Sequence, residues 1–257
     1  MILAIDMGNS NIKIGIVQIN GGIFEERVKT EYDKTSFQYA MDISAMFAMY
    51  GKTPREFEGS IISSVVPMLT PVLSAAVNKV LGKRPVIVDG NMKMNIGLSG
   101  LADTGGLGAD LIAAAEGAFV KYARPCIIVN MGTATTITLL DREGEFRGGV
   151  ILPGMKTSLQ ALTKNAAILP EIGLKDPGTA VSFDTEECIR SGIIYGNAAQ
   201  IDGITERMEK EIGETCIVIA TGGMARFCVK YCRREVIRDD ELIMAGLLEL
   251  YRLNCTG

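Results

Sequence analysis

The chain has 257 residues, 47% of them apolar, enough for one large or two small domains with a substantial core. Lys and Arg number 26 against 30 Asp and Glu, giving a net charge of −4, and no long basic run stands out, so the composition argues against a nucleic-acid surface. There is no histidine, which excludes Ser-His-Asp hydrolysis, His-zinc chemistry and imidazole acid–base work.

The first residues, MILAIDMGNS, lack the basic and apolar regions of a secretory signal. No apolar run reaches the length of a membrane span. The expectation is a cytoplasmic protein with no membrane or nucleic-acid partner. Cys126 and Cys216 lie in apolar runs and read as buried thiols. Cys228 and Cys232, four apart, have no second pair to complete a metal site and read the same way.

In chain order, ILAID (2–6), IKIGIVQIN (12–20) and GIFEERVKT (22–30) are strands. MGNS and Gly21-Gly22 reverse the chain between them, so an antiparallel meander is predicted. Residues 36–51 have helical apolar spacing ending at Gly51. A buried strand follows over 59–67, stopped by Pro67; then come a helix over 69–82 ending at Gly82 and a short strand over 84–90. The glycine-rich NIGLSGLADTGGLG (95–108) reads as a functional loop, and a helix starts near Asp110. CIIVNMG (126–132), TATTITLLD (133–141) and EFRGGVILPG (145–154) repeat the strand–turn–strand plan. Residues 156–170 form a helix closed by Pro170, and 185–213 are mainly helical but interrupted by glycines. CIVIATGG (216–223) is a strand ending in a glycine pair, and 241–254 form an amphipathic helix.

Two stretches superimpose: Asp6 falls on Asn130, Met7 on Met131 and Gly8 on Gly132. The chain therefore holds two copies of one α/β plan. The expected domains are 1–118 and 119–257, with a ligand cleft between them.

Each glycine turn presents backbone N–H groups that can cradle phosphate oxygens. The first adds Asn9, Ser10, Asn11 and the cation Lys13; the second adds Thr133, Thr135 and Thr136. One such turn is usually only a hairpin, but two in matched register suggest a polyphosphate gripped from both sides. Asp6 ends an apolar strand, where a carboxylate loses hydration unless paired. It reads either as a turn cap or as an anchor for magnesium held through water. Gly222 and Gly223 offer close approach to a base or ribose, or a plain strand-to-helix turn. Asp110 reads as a helix N-cap or as a general base that takes a hydroxyl proton during phosphoryl transfer.

These motifs together resemble a type III pantothenate kinase, of the acetate and sugar kinase/heat-shock/actin superfamily, almost end to end. DMGNSNIKIG, SSVVP, LGAD, MGTATTIT, GGVILPGMKTSLQALTKNAAILP, FDTEECIRSGIIYG and DDELIMAGLLELYRLN carry the resemblance. It implies two duplicated actin-like (ribonuclease H-like) domains with a nucleotide cleft. It also implies a homodimer that phosphorylates pantothenate from ATP with magnesium, often with potassium or ammonium. Through the LGAD match, Leu107, Gly108, Ala109 and Asp110 fall at the acceptor site, with Asp110 as proton acceptor. Thr185 matches a threonine that contacts substrate. Three positions depart from the family pattern: Leu111 replaces an arginine, Leu101 a tyrosine, and Asn130 the aspartate of the monovalent-cation site. Losing the guanidinium removes a charged hydrogen bond worth roughly 1.5–3 kcal/mol to a carboxylate substrate. Asn130 keeps an oxygen ligand but gives up the charge.

Three readings of function follow. The first is a pantothenate kinase with a relaxed acceptor site. The second is a kinase of the same fold for a different, less acidic small hydroxyl compound. The third is a non-catalytic nucleotide-binding or regulatory homologue.

Overall fold

The computed structural model describes residues 1–18, 21–101, 104–165, 170 and 172–255. The chain divides into two compact units. One comprises Met1–Ile96, Leu101–Val120 and Glu241–Gly257, and the other Gly97–Gly100 and Lys121–Asp240.

In the first unit β1 (Ile2–Met7), β2 (Asn11–Val17) and β3 (Ile23–Lys29) form the expected antiparallel meander. Two parallel strands, β4 (Gly59–Ser64) and β5 (Val86–Ile87), extend it on the other side, giving the order β3-β2-β1-β4-β5. Strand alternation splits the side chains between two faces. Leu3, Ile5, Met7, Ile12, Ile14 and Ile16 pack under α1 (Ser36–Met49) and α2 (Thr70–Leu81). A capping box between Thr35 and Gln38 starts α1, and Gly82, at φ 66°, ends α2 as a left-handed cap.

The opposite face carries Ala4, Asp6, Lys13, Gly15, Gly59 and Ser63, as the strand register requires. It meets α7 (Leu242–Cys255), for which Gly15 leaves room at Met244 and Gly59 at Tyr251. Helix α7 also packs against α3 (Ala109–Lys121) at backbone distance. A Cβ on Gly246 would lie 1.8 Å from the Ala113 carbonyl oxygen, and one on Gly117 2.1 Å from that of Leu242. Only glycine permits that approach. Gly246→Ala should force the two helices apart and cost about 2–3 kcal/mol, read as a lower urea midpoint at unchanged slope.

The second unit repeats the first. Its strands are β6 (Cys126–Met131), β7 (Ala134–Leu140), β8 (Phe146–Pro153), β9 (Ile217–Thr221) and β10 (Ile237–Arg238). Their order, β10-β9-β6-β7-β8, is that of the first sheet read in reverse. Ile127, Val129 and Met131 pack toward α4 (Met155–Asn165), α5 (Thr185–Ile212) and α6 (Ala225–Cys228). The duplication expected from the sequence is therefore present strand for strand.

Three expectations need correction. The single cut between 118 and 119 does not describe the division, because α7 returns to the first unit and Gly97–Gly100 joins the second. Residues 185–212 form one uninterrupted helix. Its glycines cost roughly 1 kcal/mol each against alanine, and its buried face, including Ile189, Ile194, Ala198 and Ile201, holds it together. Strand β4 ends at Ser64, before Pro67, because the Ser64 hydroxyl takes the Val66 N–H and turns the chain. Helix α4 is described over Met155–Asn165, and residues 166–169, through which the expected helix would run to Pro170, lie outside the described residues.

Cys126, Cys216 and Cys228 are buried as expected, whereas Cys232, also read as a buried thiol, is half-buried. Burial pushes the Cys228 and Cys232 thiols up to about 12, so in the metal-free chain they are protonated at neutral pH. Among the described residues no helix is long and apolar enough to cross a membrane.

Candidate active site

Pairing across the first sheet places three polar residues in one row. Asp6 of β1 stands opposite Lys13 of β2 on one side and Ser63 of β4 on the other. The Ser63 hydroxyl donates to Asp6 Oδ1 at 3.1 Å. Lys13 is only 8% exposed; its ammonium has Glu25 Oε1 at 3.8 Å and no hydrogen-bond partner. A buried cation so weakly met is costly, and it fits an anionic ligand. Beside it the turn is held from behind. The Gly8 N–H donates to the Asn11 carbonyl (3.0 Å), the Thr30 hydroxyl to the Gly8 carbonyl (2.6 Å) and the Thr30 N–H to the Ser10 carbonyl (3.1 Å). Asn9 and Ser10 are left at the surface.

Burial raises the Asp6 carboxyl to about 6, with the charge of Asp110 the next cause, against the opposing pull of Lys13 and the Ser63 hydrogen bond. Two residues 104 positions apart in the chain are thus electrostatic neighbours. Asp110 is not the N-cap of α3. The Gly108 carbonyl accepts the Leu111 (3.0 Å) and Ile112 (3.1 Å) N–H groups, which places Asp110 inside the first turn. Its carboxyl is raised by burial, partly offset by hydrogen bonds from the Leu111 N–H and its own. A Cβ on Gly108 would lie 2.8 Å from Asp110 Oδ1, so the glycine gives that carboxylate its room. Ala109 is buried, and Leu101, Leu107 and Leu111 are half-buried. Ala102 and Asp103 lie outside the described residues.

The second unit carries the corresponding row, Thr221–Asn130–Thr136, in the same register. Asn130 therefore occupies the position of Asp6. The row is neutral, and the hydroxyls of Thr136 and Thr221 are buried without a hydrogen-bond partner. At the adjoining turn the Gly132 N–H donates to the Ala134 carbonyl (2.9 Å). The Thr133 carbonyl accepts the Gly154 N–H (3.1 Å) and the Thr157 hydroxyl (2.7 Å). Gly222, at φ 91°, would place a Cβ 2.5 Å from the Met131 carbonyl oxygen. Gly222 and Gly223 are thus held against the end of β6, beside Gly132 and Thr133. Thr185 opens α5 after the N-cap Asp184 and edges a groove of about 350 Å³ lined also by Leu162, Ile189 and Ile193.

Ser63, Gly154 and Thr157 were not among the residues singled out from the sequence. The first could have been found from SSVVP, since a strand parallel to β1 places one of its serines beside Asp6. The other two support the second turn through backbone and hydroxyl groups, which leave no pattern in the sequence.

The Asp110 charge acts on the Asp6 carboxyl, and Asp6 stands opposite Lys13, whose ammonium has no hydrogen bond. Among the described residues no cluster of three or more His, Cys, Asp or Glu gathers. Such a donor set suits a magnesium ion that keeps most of its waters and takes its other ligands from phosphates.

Two duplicated units, each a meander sheet continued by parallel strands and opened by a glycine turn, define an actin-like fold. An activator of the 2-hydroxyisocaproyl-CoA dehydratase from Clostridium difficile, solved with bound ADPNP, shares it: TM-score 0.52, 12% identity, covering 97% of this chain and 92% of that one. The model of the type III pantothenate kinase family matches residues 2–207. A type III pantothenate kinase from Exiguobacterium sp. is 36% identical over 254 residues, covering 99% of both chains. Another from Shouchella clausii is 37% identical over 256 residues, covering 99% of this chain and all of the relative. The chain belongs to the type III pantothenate kinase family.

Proposed function

We propose that this protein is an ATP-dependent kinase that phosphorylates the hydroxyl of pantothenate, the first step of coenzyme A biosynthesis. The observation that carries the reading is the row Ser63–Asp6–Lys13 with Asp110 as its electrostatic neighbour. In the first unit Lys13 and the turn at Gly8, Asn9 and Ser10 offer donors to phosphate; in the second the turn at Gly132 and Thr133 offers its own. Gly222 and Gly223 let the nucleoside approach backbone. Asp6 would hold magnesium through water, and the bound ion would supply neutralisation of phosphate charge. Asp110 orients the acceptor hydroxyl and takes its proton. The new bond joins that oxygen to the γ-phosphorus, and the bond from the γ-phosphorus to the bridging oxygen breaks, its electrons leaving with ADP. Positioning and charge neutralisation supply most of the acceleration.

The half-buried Leu101 and Leu111 support a second reading, a less acidic alcohol as acceptor. Val181 and Phe183, 84% and 108% exposed beside the start of α5, support a homodimer that covers them. The composition supports a cytoplasmic location. The neutral row around Asn130 supports an enzyme whose rate does not depend on potassium or ammonium.

An ADP-release assay over pantothenate, related amides and neutral alcohols tests this. Pantothenate-dependent release, equal in potassium and sodium, is expected, and Asn130→Asp should make the rate respond to potassium. ATP binding without release on any alcohol would overturn the kinase reading.

A further inference from the structure

Among the described charged residues, Glu116 alone has no exposed surface at all. It lies in the middle of α3, flanked by Ala115 and Gly117, and nothing in phosphoryl transfer requires it. An unpaired carboxylate there would be costly. Its partners are not cations but N–H donors, all from one short stretch. The Asn95 N–H approaches the two carboxylate oxygens at 3.0 and 3.2 Å, the Asn95 amide Nδ2 approaches at 2.5 Å and the Ile96 N–H at 3.4 Å. Asn95 Nδ2 also reaches Glu249 of α7 at 3.2 Å.

Asn95 and Ile96 are where the chain leaves the first unit for the glycine-rich segment. The chain is back in the first unit from Leu101, and further on the Gly108 carbonyl caps the same helix α3. Asn95–Ile96 and Gly108 are therefore both fastened to one helix, at points separated by about 12 Å along its axis at 1.5 Å per residue. Between them lie Leu101 and Leu107, and the return runs directly into Asp110. Fastening these two points limits how far they can shift relative to Asp110, and small misplacements of a reacting group are expensive in rate.

We propose that Glu116 is a positioning residue for the acceptor site: a buried carboxylate that pins the departing end of the 95–108 segment to the helix that presents Asp110. This rests on the reading that the segment binds the acceptor alcohol. Glu116→Gln keeps the size but turns an amide NH₂ toward donors that need an acceptor. In the full-length variant the KM for pantothenate should rise roughly tenfold while the KM for ATP stays within about twofold. Amide exchange of peptides spanning 95–108 should quicken by roughly tenfold with that of β1 and β2 unchanged. Asn95→Ala, which removes one donor and keeps both backbone N–H groups, should move both readouts the same way by a smaller factor. If Glu116→Gln fails to fold, Asn95→Ala decides alone. Unchanged exchange over 95–108, or equal rises in both KM values, would overturn the proposal. Wild-type protein that phosphorylates no alcohol would overturn the functional reading instead, and the exchange measurement, which needs no turnover, separates the two failures.

Discussion

Asp110→Asn should lower kcat by roughly 10²–10⁴-fold, the usual contribution of a positioned general base, while ATP affinity stays within about twofold. The asparagine can keep the place of the carboxylate in the first turn of α3, where the Leu111 N–H donates to it. It cannot accept a proton. Burial raises the Asp110 carboxyl above the ordinary aspartate range, so the wild-type rate should climb with pH as this group ionises and then level off. In the variant the limb should shrink to the part that Asp6 contributes. Rapid-quench single-turnover measurements across pH check both points, and unchanged turnover would remove Asp110 from the role of base.

Asp6→Asn should abolish turnover yet make the ligand-free protein more stable. The Asp6 carboxyl titrates near 6 in the folded chain against 3.8 ordinarily. Between those values the folded state holds a proton that the unfolded state has released, so stability falls as pH rises through that window. Above about pH 6 the full penalty applies, up to about 3 kcal/mol for a shift of roughly two units. Asparagine carries no charge and can still accept the Ser63 hydroxyl. At pH 7.5 without nucleotide the variant should melt several degrees above wild type, and the gap should close below about pH 4. Adding magnesium and ATP should reverse the order, since only wild type anchors the ion. A variant that melts lower than wild type at pH 7.5 without ligand would mean that Lys13 and Ser63 more than offset the burial of Asp6.

Much of this was legible in the sequence because it lies in local pattern. ILAIDMGNSNIKIGIV and CIIVNMGTATTITLLD alternate with strand period around a glycine, so both meanders, their duplication and the match of Asp6 with Asn130 could be read directly. The register shows the same match physically, with Ser63 and Lys13 flanking one and Thr221 and Thr136 the other. What could not be read depends on partners distant in the chain. An amphipathic stretch at 241–254 reveals its apolar face but not which sheet receives it. The glycines of α5 look like breaks until the buried face opposing them is seen. Asp110 looks like a cap until Gly108 is found in that place. Glu116 is invisible as an anchor because its donors are mostly backbone N–H groups, which every residue but proline possesses.

The placement of α7 has a consequence for biosynthesis. The second unit is almost contiguous, whereas the first needs residues 241–255, which the ribosome adds only after the second unit is complete. Until they emerge, the sheet face bearing Ala4, Gly15 and Gly59 lacks the helix that fills it. The nascent chain therefore finishes its earlier-made half last, and a ribosome that stalls near codon 240 leaves that half with an uncovered apolar surface for chaperones to guard.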